Sequence, residues 1–141
     1  MRFANKIESI KNEILGIDYS LSVAFVDVHK SREINKKYRK KNRATNVLSF
    51  SLRQGFGELV LCPNVIKIEA ENFNKTYSEW LGQLVIHGML HLKGMKHSST
   101  MEVAENFYWE KYDKEHNGWN RRRVLVDEGH SRRVHKRRKK S

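Results

Sequence analysis

The sequence predicts a small domain that combines five helices with three strands. Three stretches, at 20–28, 45–52 and 58–62, have the β-branched and alternating character of strands. The segments around them carry apolar residues at helical spacing, and one of these segments contains three closely spaced histidines. A chain of 141 residues has the length of a single domain and can bury a core without disulfides.

Each element follows from a simple periodicity. Helices are predicted where apolar residues recur three or four positions apart, and strands where they alternate. Two glycines between 53 and 57 predict a turn, so the second and third strands should pair as a hairpin. In chain order the predicted elements are a helix at 4–16, a strand at 20–28, a helix beginning near Ser31, strands at 45–52 and 58–62, and helices at 64–74, 78–93 and 99–116.

The helix starts are predicted from residues that can cap a free amide. Ser31 and Ser78 are predicted as caps of the second and fourth helices, and Pro63 opens the third. Ile34 and Tyr38 are expected to face inward from the second helix. The fourth helix is apolar on so much of its surface that it should be central and buried.

The histidines of this fourth helix have the spacing of a metal site. His87 and His91 are four residues apart, so on a helix they share one face about 6 Å apart. Gly94 can end the helix with a positive φ, which lets the chain turn back and bring His97 to the same point. Three neutral imidazoles with one vacant position are the ligand set of a catalytic zinc, and a metal would give buried imidazoles the partner they need.

The spacing H-x-x-x-H-x-x-G-x-x-H also matches the long zinc motif of metzincin peptidases. In that motif a glutamate follows the first histidine and serves as the general base. Gly88 occupies this position and cannot accept a proton, which argues against a peptidase. The remaining alternative for the histidines is an ordinary helix surface or core without a metal.

Composition predicts a cytoplasmic protein. The single cysteine, Cys62, excludes an intramolecular disulfide, which fits a reducing compartment. No apolar run approaches the roughly 18 residues of a membrane span, and the first residues lack the apolar core of a signal peptide.

The net charge of +12 is concentrated in two places and favours a polyanion, most often nucleic acid. Residues 36–43 hold six cations around one tyrosine, and we expect either a solvated helix end or a phosphate-contacting patch. Residues 121–141 carry a net charge of +8, lack periodicity and are expected to be disordered. They are predicted as a basic segment beside a domain at 1–120, and a role in solubility alone is the alternative. Candidate RNA-binding residues are Arg39, Lys41, Arg43, Arg121, Arg122 and Arg123.

Several blocks of the sequence resemble the YbeY endoribonucleases, a family of ribosomal RNA maturation factors. Residues 87–97, HGMLHLKGMKH, resemble that family's signature H-G-x-L-H-L-x-G-Y-D-H. Four further blocks occur in the family's order: Val26-Asp27, INKKYRKK at 34–41, TNVLSF at 45–50 and GELVLC at 57–62.

The resemblance implies an α+β fold with a small mixed sheet of three to four strands, packed with about five helices and carrying the metal site on a central helix. It implies one Zn²⁺ per chain held by His87, His91 and His97, with Arg39 lining the catalytic groove and with Arg39 and His87 as the catalytic residues. The implied activity is cleavage of single-stranded RNA during ribosomal RNA maturation, at the 3′ end of 16S RNA, and in ribosome quality control. The implied partners are ribosomal RNA and the small ribosomal subunit.

The chain departs from the family pattern in three ways. Met95-Lys96 replaces Tyr-Asp before the last histidine, which removes an acid that could orient a ligand imidazole. Either the metal is held more loosely or another acid substitutes, the candidates being Glu58, Glu102 and Glu105. The family's usual first strand has almost no room before Asn5, and the basic segment has no counterpart in the common pattern.

Cleavage of RNA is therefore the predicted function, with two alternatives. Arg39, assisted by Lys41, is expected to stabilise charge on the phosphate while the metal activates either water or the 2′-hydroxyl. The first alternative is a non-catalytic ribosome-assembly factor with a structural zinc. The second is a zinc peptidase, which Gly88 disfavours. Nickel, copper and iron also accept histidine ligands, so the choice of zinc rests on the resemblance.

Overall fold

The computed structural model of the chain describes residues 3 to 116. Within that range the predicted five helices and three strands are all present. In chain order they are α1 (Phe3–Ile14), β1 (Ser20–Phe25), α2 (Val28–Arg39), β2 (Val47–Arg53), β3 (Phe56–Leu61), α3 (Pro63–Asn72), α4 (Tyr77–Leu92) and α5 (Ser99–His116). The basic segment predicted at 121–141 lies outside the described residues.

The three strands form one mixed sheet in the order β1-β3-β2. β3 pairs in parallel with β1 and antiparallel with β2, so the predicted hairpin and the α+β fold are confirmed. β3 is the central strand, so both of its edges are hydrogen-bonded to a neighbouring strand. Leu59 and Leu61 of this strand have no exposed surface. Over residues 3 to 116, three of the three to four expected strands are present.

The core lies between this sheet and α4, which is the central helix. Leu84, Val85, Met89 and Leu90 of α4 are all buried. They belong to one apolar cluster with side chains from α1, β3, α3 and α5, namely Ile10, Ile14, Leu59, Leu61, Ile66, Met101 and Tyr112. The prediction of a buried central helix is confirmed, and this helix carries the first two histidines.

Both predicted caps were wrong. Asp27 caps α2, where its carboxylate accepts a hydrogen bond of 2.8 Å from the Lys30 amide. Ser31 is instead buried inside that helix, and its hydroxyl bonds to the amide and carbonyl of Thr45. Thr76 caps α4 and forms a reciprocal capping box with Glu79, so Ser78 already lies within the helix.

The orientation predicted for Tyr38 was also wrong. Its side chain is on the last turn of α2 and is 55% exposed. It packs edge-on against Phe50 of β2, with 5.5 Å between the ring centroids, rather than entering the core.

None of the helices in residues 3 to 116 combines the length and the apolar character needed to cross a lipid bilayer.

Candidate metal centre

The last turn of α4 and the loop after it bring the three histidines together. α4 ends at Leu92, and Gly94 then adopts the predicted positive φ of +107°. Its amide bonds to the His91 carbonyl and the Met95 amide bonds back to the Leu90 carbonyl, so the chain reverses over the helix end. This reversal carries His97 back onto the face that His87 and His91 share.

The three imidazoles converge through the same ring atom. Nε2 of His91 lies 3.1 Å from Nε2 of His87 and 3.2 Å from Nε2 of His97. Four-coordinate zinc with Zn–N bonds of about 2.0–2.1 Å requires a nitrogen–nitrogen separation of about 3.3 Å. The three side chains could therefore hold one metal ion, and the donor set fits zinc.

Groups behind the rings fix which nitrogen faces this point. Nδ1 of His87 contacts the Glu105 carboxylate of α5, and Nδ1 of His91 lies 3.0 Å from the Met95 carbonyl. Because a carbonyl accepts and does not donate, Nδ1 of His91 carries the proton; an ionised Glu105 places the proton on Nδ1 of His87 in the same way. The Nε2 lone pairs of both rings are then directed at the common point.

This arrangement of lone pairs suits a cation. Nitrogen lone pairs about 3 Å apart repel one another, and a single proton can bridge only one pair of the three nitrogens. A divalent ion bonds all three at once. Burial lowers the pKa of His91, and the adjacent His87 and His97 lower it further, against the opposing influence of the Met95 carbonyl and Glu105. A lowered pKa favours the neutral imidazole that metal binding requires.

Gly88 lies where α4 packs tightly against the sheet, and there is no room for a side chain at this position. A Cβ at Gly88 would lie 2.7 Å from Cδ2 of Leu59 and 3.1 Å from Oγ of Ser49. The residue after the first histidine therefore faces β2 and β3, where α4 approaches the sheet too closely for a larger side chain. A peptidase glutamate would fit neither the space nor the direction, so the structure removes the physical basis of the peptidase alternative.

Of the three acids considered as substitutes for the missing aspartate, Glu105 is the one in contact with a histidine. Glu102 is exposed one turn earlier on α5. Glu58 belongs to β3, where alternation turns its side chain away from α4, because the neighbouring Leu59 faces the helix. Lys96 is exposed, and its replacement of an acid does not leave His87 or His91 without an acceptor.

Arg39 is linked to α4 through Ser49. Its guanidinium donates a hydrogen bond of 2.8 Å to the Ser49 carbonyl, and the Ser49 hydroxyl donates one of 3.1 Å to the Gly88 carbonyl. Two hydrogen bonds therefore connect Arg39 to the residue next to His87. The importance of Ser49 was missed in the sequence, although it lies within the resembling block at 45–50.

The other predicted RNA-binding residues fall into two groups. Lys41 and Arg43 are exposed in the loop after α2, within four residues of Arg39 in the sequence. Arg121, Arg122 and Arg123 lie outside the described residues.

Comparisons with known proteins identify relatives that cover most of this chain. The family model described as "Endoribonuclease YbeY" matches residues 1–113. Proteins named Endoribonuclease YbeY are 38% identical over 104 residues in Delftia acidovorans (72% of this chain, 67% of the relative) and 39% identical over 115 residues in Chromobacterium violaceum (68% of each). The solution structure of TM1509 from Thermotoga maritima is 31% identical, with a TM-score of 0.61 over 89% of this chain and 84% of that one.

Proposed function

The chain belongs to the YbeY endoribonuclease family, and from that premise we propose that it cleaves single-stranded RNA with the aid of one zinc ion. The observation that carries the proposal is the convergence of three Nε2 atoms at 3.1 and 3.2 Å. Family membership supports the reaction class, and this convergence supports the three histidines as the place where the reaction would occur.

His87, His91 and His97 are the proposed ligands. A zinc ion held by these three side chains would supply Lewis-acid chemistry, which would attract a phosphodiester and activate an oxygen nucleophile near neutral pH. Glu105 and the Met95 carbonyl keep two of the ligand rings in the tautomer that binds metal. The ligand set carries no negative charge of its own, which favours an anionic substrate over a neutral peptide.

Arg39 is the proposed phosphate-binding residue. Its hydrogen bond to the Ser49 carbonyl uses one Nη atom, so the remaining N–H groups of the fork stay available for phosphate oxygens. A guanidinium placed there would stabilise the charge that develops on those oxygens during cleavage. Lys41 and Arg43 would hold the neighbouring phosphates of the strand.

The nucleophile is either water or the adjacent 2′-hydroxyl, and the products separate the two. Attack by the 2′-hydroxyl leaves a 2′,3′-cyclic phosphate, whereas attack by water leaves an open monophosphate. Gly88 has no side chain, so no residue next to His87 can act as the base.

We further propose that the substrate is ribosomal RNA, cleaved at the 3′ end of 16S RNA and during quality control of the small ribosomal subunit in the cytoplasm. The net charge of +12 supports a polyanionic partner. A non-catalytic assembly factor would have the same charge and the same metal, so activity must decide between them.

The test is an RNase assay on matched single-stranded and duplex RNA, with and without a chelator. The proposal predicts cleavage of the single strand that is lost with the chelator, restored by zinc and absent in His87→Ala. Full activity in His87→Ala, or in the presence of the chelator, would contradict it. Metal binding and RNA binding without cleavage would instead support the assembly factor.

A further inference from the structure

The basic loop after α2 is a fixed structure and not a frayed helix end. Lys40 ends α2 with a left-handed φ of +62°, and the amides of Lys40 and Lys41 bond back to α2 carbonyls. Asn35, which is 3% exposed, donates from its side chain to the Arg43 carbonyl at 2.8 Å. The buried Asn35 side chain thus holds the cationic loop in place. A hydrogen bond of 2.8 Å from Arg32 to Asn42 does the same.

An exposed aromatic pair lies beside this loop. The Tyr38 ring meets Phe50 edge-on, and Tyr38 remains 55% exposed. Cations surround the pair: the Arg39 guanidinium is 4.8 Å from the Phe50 centroid, and Lys37 Nζ is 5.2 Å from the Tyr38 centroid. The Tyr38 ring is therefore held in position by Phe50 and Lys37, while more than half of its surface stays open to solvent.

The position of this pair relative to the histidines follows from the sheet. β2 is an edge strand, and Ser49 faces α4 because its hydroxyl bonds to the Gly88 carbonyl. Alternation then places Phe50, and the Tyr38 ring packed on it, on the opposite face. Arg39 donates a hydrogen bond to the Ser49 carbonyl and therefore lies at the β2 edge of the sheet, between the two faces.

We propose that Tyr38 and Phe50 form a nucleobase-stacking subsite for the single-stranded RNA that the metal centre cleaves. A strand crossing the β2 edge would place a phosphate at Arg39 and the base of a neighbouring nucleotide on the exposed Tyr38 ring. This inference rests on the proposed function for the identity of the occupant. A duplex keeps its bases stacked inside, so the subsite also gives a physical reason for a preference for single strands.

The combination of ring and cations points to nucleic acid. Six cations in eight residues at 36–43 complement a phosphate backbone, and an aromatic face interleaved with them is the usual arrangement in proteins that hold single strands. Every base has a π-face, so stacking of this kind is tolerant of sequence. We therefore expect the subsite to favour single strands and to fix which phosphate lies at Arg39, without selecting a particular base.

The test separates stacking from charge. Binding of the metal-loaded full chain to a 2′-O-methyl single-stranded oligonucleotide is measured by fluorescence anisotropy across a salt series, for the wild type and for Tyr38→Ala, Tyr38→Phe and Lys41→Ala. Tyr38→Ala should raise the dissociation constant about 5- to 150-fold, and Tyr38→Phe should retain most of the affinity. The factor lost in Tyr38→Ala should be the same at every salt concentration, because stacking releases no counterions, whereas Lys41→Ala should reduce the salt slope.

Two controls keep the result specific. Tyr77→Ala removes a tyrosine at the start of α4, about 15 Å along the helix from His87, and should leave binding unchanged. An abasic oligonucleotide should bind the wild type and Tyr38→Ala equally. Unchanged affinity in Tyr38→Ala, or an equal loss with the abasic strand, would overturn the stacking subsite while leaving the proposed cleavage untouched. Failure of the proposed function would appear separately, as absent cleavage in a wild type that still shows the Tyr38 effect.

Discussion

Removal of the Glu105 carboxylate tests whether the groups behind the histidines control the metal site. Glu105 contacts Nδ1 of His87, and both side chains are about one quarter exposed, at 28% and 27%. In Glu105→Ala the Nδ1 proton loses its acceptor, so the ring can rotate and can adopt the tautomer that turns a protonated Nε2 toward the metal. Loss of such an outer partner typically weakens metal affinity 10- to 100-fold, or about 1.4 to 2.7 kcal/mol.

The assay is competition for zinc with a chromophoric chelator, which reports an apparent dissociation constant without reference to activity. Glu105→Gln keeps an oxygen acceptor but loses the charge, so its affinity should lie between those of the wild type and Glu105→Ala. Glu102→Ala removes an exposed acid from the first turn of the same helix and is the matched control. Equal zinc affinities in Glu105→Ala and Glu102→Ala would refute the role assigned to Glu105.

Three further predictions concern charge and packing. Arg39→Ala should lower the RNA cleavage rate about 100- to 1,000-fold, as removal of an oxyanion-hole donor does, while zinc content stays at the wild-type value; retained cleavage would remove Arg39 from the site. Truncation after Asn120 removes a net charge of +8 and should flatten the slope of log affinity against log salt, by up to about 5.6 for a single strand, while single-turnover cleavage at saturating RNA changes little. An unchanged slope would leave residues 121–141 a role in solubility alone. Gly88→Ala should reduce the free energy of unfolding by about 1–3 kcal/mol in a urea titration, because its Cβ would lie 2.7 Å from Cδ2 of the fully buried Leu59. An unchanged urea midpoint of unfolding would show that α4 can move away from the sheet.

Local sequence patterns were enough to predict the element order and the histidine cluster. The spacing of His87 and His91 sets their common face, and a glycine at 94 is the residue expected where a helix ends with a positive φ. These signals act within one or two helical turns, so they can be read without knowledge of the rest of the fold. The family resemblance added the mixed arrangement of the sheet, which periodicity alone does not determine.

Two of the predicted helix starts, the caps at Ser31 and Ser78, were wrong for a local reason, whereas Pro63 opens α3 as predicted. Asp27 and Thr76 precede the predicted caps Ser31 and Ser78, and each accepts a hydrogen bond from the amide three residues later. The pattern Thr76-x-x-Glu79 is a capping-box signature, so this start was open to prediction. Ser31 instead forms a hydrogen bond with Thr45, which is 14 residues away, and no local sequence pattern predicts this contact.

The contacts that complete the candidate site join distant parts of the chain. Ser49 and Gly88 are 39 residues apart, and His87 and Glu105 are 18 apart. Such pairs depend on how α4 packs against β2 and α5, and a single sequence carries no record of that packing. The outward position of Tyr38 has the same origin, because it depends on the location of Phe50 in the edge strand.

The proposed mechanism requires one metal ion, held by the three histidines, for RNA cleavage. The most direct measurement titrates zinc into metal-free protein and follows bound zinc and single-strand cleavage in the same samples. We expect both to saturate together at one zinc per chain, and we expect His91→Ala to bind no zinc at this site and to cleave no RNA. Cleavage that is complete before zinc is added, or undiminished zinc binding in His91→Ala, would contradict it.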